Sequence, residues 1–114
     1  MSYTNTIFNQ LLNFLPKDKF QQIVGQHQSD KYVKKMNTWN HFVALLFAQA
    51  TGKDSLREIE IGLSLHLENW HHLGIKSVSR STLSDANKRR EPEIFEKLFY
   101  ALWDRCKIIT PQHK

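Results

Sequence analysis

The sequence predicts an all-α protein, a compact multi-helix bundle with a helix-turn-helix-like pair at about 55–67 and 81–90. Three observations predict it. Apolar residues recur at three- and four-residue intervals along most of the chain instead of alternating. Only 4 Gly and 3 Pro occur in 114 residues, so few positions force a break. Hydrophobic residues make up 40% and aromatic residues 11%, enough to bury a core at this length. The length fits a single domain over 1–114.

Taken in order, Ile7, Phe8, Leu11, Leu12 and Leu15 predict a helix over 4–14 that ends near Pro16. Phe20, Ile23, Val24 and His27 predict a second over 16–28, weakened by Gly25, since an interior Gly costs ~1 kcal/mol against Ala. Residues 29–37 are polar and carry Lys31, Lys34 and Lys35, which reads as a solvated loop or helix face. Thr38 is the expected cap of a helix over 38–51, with Gly52 as its stop. Trp39, Phe42, Val43, Leu45, Leu46, Phe47, Ala48 and Ala50 leave that helix little polar face, which places it in the middle of the bundle.

Ser55-Leu56-Arg57-Glu58 reads as a capping box at the head of the helix over 55–67, whose buried stripe is Leu56, Ile59 and Leu63. Residues 68–79, with Trp70, His71, His72 and Gly74, are expected to be a connection, and 74–79 is the one place suited to an extended segment. The helix over 81–90, capped by Ser81 or Thr82, turns only Leu83 and Ala86 inward. Pro92 suits the first turn of a last helix with a core face of Ile94, Phe95, Leu98, Phe99, Leu102 and Cys106, and 108–114 reads as a tether. Trp39, Phe42, Leu46, Leu56, Ile59, Leu63, Phe95, Leu98 and Leu102 are expected to share one core.

Composition removes several classes of function. A single cysteine, Cys106, permits no internal disulfide and no thiolate zinc site, and agrees with a reducing cytoplasm. No signal pattern opens the chain, and the longest apolar stretch, 42–48, is far short of a membrane span. His66, His71 and His72 lie close in sequence, but adjacent histidines are poorly placed to chelate one ion, so packing or surface roles are expected and no metal. Asp54, Glu58 and Glu60 are explained by capping and solvation, and Cys106 by core filling. No catalytic residue and no cofactor are expected.

The net charge of +5 is compatible with a polyanionic partner, and its distribution is more informative than its size. Lys76, Arg80, Lys88, Arg89 and Arg90 face a single acid, Asp85, in the densest basic excess of the chain. Ser81, Ser84, Asp85 and Lys88 share one helix face. Arg80 and the 88–90 cluster are placed to grip phosphates, and the amides at Ser81 and Thr82 to face an anion. Ser84, Asn87 and Lys88 are the candidates for base edges, with Asn87 the expected adenine reader. The same cations also complement the helix dipole with no ligand at all, so the pattern alone leaves a plain solvated helix open.

Three runs add a resemblance: Ser55-Leu56-Arg57-Glu58-Ile59-Glu60, then His72-Leu73-Gly74-Ile75-Lys76, then Arg80-Ser81-Thr82-Leu83-Ser84-Asp85-Ala86-Asn87. In this order they resemble the N-terminal domain of insertion-sequence transposases of the four-type DDE group, with His71 where a tyrosine is expected. Phe14-Leu15-Pro16 and the stretch 39–52 extend the likeness. In such transposases a following RNase H-like domain carries three carboxylates that hold two divalent metals. The resemblance therefore implies a non-catalytic accessory domain whose partners are transposon-end DNA and that catalytic domain, toward which 108–114 would lead. A protein–protein or dimerisation module is the rival expectation. Exposure of Lys76, Arg80, Lys88 and Arg89 together would favour DNA, and an exposed apolar patch of Trp70, Trp103 or Tyr100 would favour docking.

Overall fold

A computed structural model describes residues 3–33, 35–70 and 73–109. Among them the chain forms helices α1 (Tyr3–Phe14), α2 (Lys17–His27), α3 (Thr38–Thr51), α4 (Leu56–Trp70), α5 (Arg80–Arg89) and α6 (Pro92–Ile109), and no strand. The all-α multi-helix fold is the one that the apolar periodicity predicts. The expected tether at 108–114 falls mostly outside the described residues, and α6 runs on to Ile109.

Local chemistry explains most boundaries. Pro16 separates α1 from α2 in an extended conformation, and its carbonyl accepts from the Phe20 amide at 3.0 Å. Helix α2 ends at Gln28, which takes the left-handed conformation at φ 50°. Gly52 stops α3 as expected, at φ 69° with its amide on the Ala48 carbonyl. The start of α3 differs from expectation. Its cap is Asn37, whose side chain accepts from the Asn40 amide at 2.9 Å, while Thr38 is fully buried inside the first turn. At the head of α4, Ser55 Oγ accepts from the Glu58 amide at 3.1 Å, half of the expected box. The other half is replaced by Ser55 Oγ donating to Glu58 Oε1 at 3.3 Å.

Helix α4 passes the expected end near Leu67 and stops at Trp70. The reason is a continued buried stripe: Ile59, Leu63, His66 and Trp70 follow one another at four-, three- and four-residue steps. Trp70 has no exposed surface and lies 4.6 Å, centroid to centroid, from Phe8 and 5.8 Å from Phe47. His66 stacks on the same indole at 4.7 Å, which gives that histidine a packing role.

Helix α3 runs through the middle, with Phe42, Val43, Ala44, Leu46 and Phe47 all buried. Helices α1 and α4 pack on it, α2 and α1 pack on α6, and α5 packs on α4. Every residue of the expected core joins one hydrophobic cluster, Trp39 and Leu56 at its half-buried edge. That cluster is larger than expected, adding among others Phe8, Phe20, Met36, Trp70, Ile75 and Leu83. The α4–α5 pair is joined by residues 71–79, longer than the three- to four-residue link of a compact helix-turn-helix.

Candidate nucleic-acid interface

The segment before α5 is extended but not loose. Trp39 Nε1 donates to the Leu73 carbonyl at 2.8 Å, and Asn40 Nδ2 donates to the Gly74 carbonyl at 3.2 Å. Asn40 Oδ1 accepts from the Lys76 amide at 2.8 Å. Gly74 takes φ 79°, a conformation that favours glycine. The buried side chains of Ile75 and Val78 hold the strip from beneath, which leaves Lys76 outward. The start of α3 thus positions the basic lead-in of α5.

Helix α5 begins one residue earlier than the sequence suggests. Its cap is Ser79, whose Oγ accepts from the Thr82 amide at 3.2 Å. Ser81 and Thr82, the expected caps, lie inside the first turn, Ser81 exposed and Thr82 half-buried. The Arg80 amide is taken by Glu60 Oε2 at 3.1 Å, so one amide of that turn is occupied from α4. Leu83 and Ala86 are the buried apolar residues of this helix, as expected.

Lys76, Arg80, Lys88 and Arg89 are all exposed, with Ser84 half-buried between them, and none of the four cations has an ion-pair partner among the described residues. Asp85 is exposed on the same helix and is its only acid. Lys35, assigned from sequence to a solvated loop, joins them. It lines a groove of about 370 Å³ with Lys76, Ser79 and Thr82 at the start of α5. Lys31 and Arg89 line a smaller one of about 160 Å³ at the other end of the helix. The neighbouring Tyr32 is 86% exposed in the left-handed conformation, at φ 61°, with Lys31 Nζ 5.3 Å from its ring centroid.

Arg90 is not part of this surface. It is 8% exposed and points inward, because it extends the buried stripe of Leu83 and Ala86 by one further turn. Its Nε donates to the Ser29 carbonyl at 3.1 Å and its Nη2 to the Met36 carbonyl at 2.7 Å. Nη2 also meets Asp30 Oδ1 at 3.3 Å, and Nη1 meets His41 Nδ1 at 3.1 Å. Burial lowers its pKa, and the Asp30 carboxylate opposes this in part. Asp30 in turn accepts from the Thr38 amide at 2.6 Å and from its hydroxyl, which also bonds Ser29. One guanidinium therefore clamps both ends of the loop that carries Lys31 and Lys35.

The network also fixes Asn87. A guanidinium only donates, so His41 Nδ1 accepts and the ring proton sits on Nε2. Nε2 then donates to Asn87 Oδ1 at 2.6 Å. His41 stays neutral. Burial pulls its pKa down to about 4, the Asn87 bond opposes this, and the Arg90 charge adds to it. The expected adenine contact of Asn87 needs Oδ1 to accept from the base and Nδ2 to donate to it. His41 takes one of the two lone pairs of Oδ1, which leaves the exposed amide its second lone pair and its Nδ2 donor.

The polar set Asn37, Asn40 and His41 was not assigned a role from sequence. Its signal was present: Asn40 and His41 are polar residues in the first turn of the most apolar helix, where burial obliges them to find partners, and Asn37 precedes them as a cap. His71 and His72 lie outside the described residues. Among the described residues no group of His, Cys, Asp or Glu is arranged to hold a metal ion, and no helix is long and apolar enough to cross a membrane.

A family model described as a domain of unknown function (DUF4372) matches residues 3–76, and the chain belongs to that family. The match takes in α1 to α4 and the lead-in as far as Lys76, and α5 and α6 lie beyond it. No curated protein and no solved structure matches the chain.

Proposed function

We propose that this member of the DUF4372 family is the DNA-binding accessory domain of a transposase, gripping transposon-end DNA without catalytic chemistry of its own. The observation that carries the reading is the joint exposure of Lys76, Arg80, Lys88 and Arg89 on α5 and its lead-in, with no ion-pair partner among the described residues. The groove with Lys35 and the loop with Lys31 extend the same basic surface. Cations held on rigid backbone suit phosphate contact, which supplies most of the affinity for DNA. Ser81, Asp85 and Lys88 are exposed on one face of the helix with Ser84 half-buried beside them, and Ser84, Asn87 and Lys88 are the side chains for base edges. The transposase context rests on the resemblance of the three sequence runs, the third of which lies on α5.

The test is a salt titration of binding to the terminal repeats of the parent element and to scrambled DNA. Three phosphate contacts would give a slope of about −2.7 in log affinity against log salt, at ~0.9 per contact. Replacing Arg80, Lys88 and Arg89 together by Ala should flatten that slope while the helical spectrum is retained. Equal binding by the triple variant at all salt concentrations would refute the assignment. A second reading, docking of another protein, is favoured by a separate observation on α6.

A further inference from the structure

Two criteria separated DNA contact from protein docking in the sequence, and the structure satisfies both on different helices. Trp70 is buried, but Tyr100 and Trp103 are 62% and 60% exposed. They stand on α6 with Glu96 and Phe99, at i, i+3, i+4 and i+7 spacing, and these four residues line a shallow groove of about 380 Å³ along one helix face. Phe99 is half-buried and packs on the core at 5.2 Å from Phe42, so the floor of the groove is rigid. Trp and Tyr are the residue types that most often anchor a partner.

Among the described residues, the exposed charged side chains beside the aromatic residues of this groove are Glu96 and Asp104. Glu96 and Asp104 are exposed at its two ends, and neither has an ion-pair partner among the described residues. Glu93, one turn earlier, is already bridged to Lys97 at 3.7 Å. Lys97 also meets His27 of α2 at 3.0 Å, so its ammonium is engaged toward the bundle. On a chain of net charge +5, an aromatic stripe ended by two unpaired carboxylates is a local exception. It repels DNA phosphates. It also disfavours a second copy. A two-fold antiparallel pairing centred on Tyr100 would set Glu96 of each chain opposite Asp104 of the other, like against like.

We propose that the groove of Glu96, Phe99, Tyr100 and Trp103 docks a basic amphipathic helix of another protein or domain. Its apolar side chains cover Tyr100 and Trp103, and its Lys or Arg residues pair with Glu96 and Asp104. This is the helix-in-groove mode, with aromatic anchors supplying affinity and terminal charges fixing register. The inference is independent of the DNA reading, because it uses none of the α5 residues.

The probe is a labelled synthetic helix of Leu and Lys, set beside a Leu and Glu helix with the same apolar face, each titrated into the full chain. Anisotropy reads binding, and acrylamide quenching reads Trp103, the most exposed of the three tryptophans described. The expected result is saturable binding of the basic helix only, with reduced quenching. Tyr100→Ala with Trp103→Ala should abolish it, and Glu96→Lys with Asp104→Lys should weaken it by roughly tenfold or more. All four side chains are exposed, so both variants should fold, which their helical spectra check. The aromatic variant changes no charge and should bind DNA as the parent does, which separates failure here from failure of the DNA reading. Equal binding of the two helices, binding that survives the aromatic substitutions, or a dimer in sedimentation that those substitutions dissociate would each overturn the proposal.

Discussion

Lowering the pH should destabilise this protein through one histidine. His41 has no exposed surface, and its ring lies 4.4 Å from that of Phe95. Its two nitrogens are committed to Arg90 and Asn87, and the Arg90 bond, which Nδ1 accepts, requires the neutral ring. Its pKa falls from 6.5 to about 4, through burial first, with the Arg90 charge adding and the Asn87 bond opposing. A folded pKa below the unfolded one means that the unfolded chain binds the proton first. Stability is then complete above about pH 6.5 and is lost as the pH falls toward 4. The gap between 6.5 and about 4, at ~1.36 kcal/mol per pH unit, gives a total of about 3 kcal/mol. Between about pH 7 and about pH 5 the loss is about 2 kcal/mol. Urea unfolding followed by circular dichroism at those two pH values measures it. His41→Gln, which keeps an amide at the site but does not titrate, is the reference that cancels the carboxylates. Parallel losses in the parent and the variant would refute the reasoning.

Four further outcomes follow from the helices. Ser79→Ala should cost ~1 kcal/mol in thermal or urea unfolding, and Ser81→Ala only a few tenths, because Ser79 caps α5. Gly25→Ala should stabilise by about 0.5–1 kcal/mol, since a methyl there meets nothing within 4 Å. Gly62→Ala should destabilise by about 1–3 kcal/mol, because its Cβ would lie 2.6 Å from the Phe47 ring. Trp70→Ala should cost about 3–5 kcal/mol, as the indole fills the space between Phe8, Phe47 and His66.

Much of the fold was legible because helical periodicity reports burial directly. The stripes of α3 and α6 and the caps at Ser55 and Gly52 depend on neighbours within one or two turns. Where sequence reading went astray, residue type overrode position. Trp70 continues the stripe of Ile59 and Leu63, and Arg90 continues that of Leu83 and Ala86. Both lie at helical spacing from the core, but an assigned connection hid the first and a charge hid the second. The sequence offered Ser81 or Thr82 as the cap, and Ser79 carries the same hydroxyl, so local chemistry does not separate them. The choice is settled by the pinning of 73–79 to Trp39 and Asn40, more than thirty residues away in sequence.

The basic surface shows the same division. Lys76, Arg80, Lys88 and Arg89 form one nearly contiguous segment, so their shared exposure was predictable from sequence alone. Lys31 and Lys35 were not, because their place beside α5 depends on Arg90 reaching the carbonyls of Ser29 and Met36. That clamp turns a polar loop into part of the same face. Its arginine is neutralised by Asp30 and hidden from solvent, so it adds no charge that DNA can reach. Of the two adjacent arginines that end α5, Arg89 would contact phosphate, and Arg90 would decide where the loop cations stand. Their substitutions should accordingly differ in kind: loss of Arg89 removes one contact, whereas loss of Arg90 leaves Asp30 without its ion pair and frees the loop.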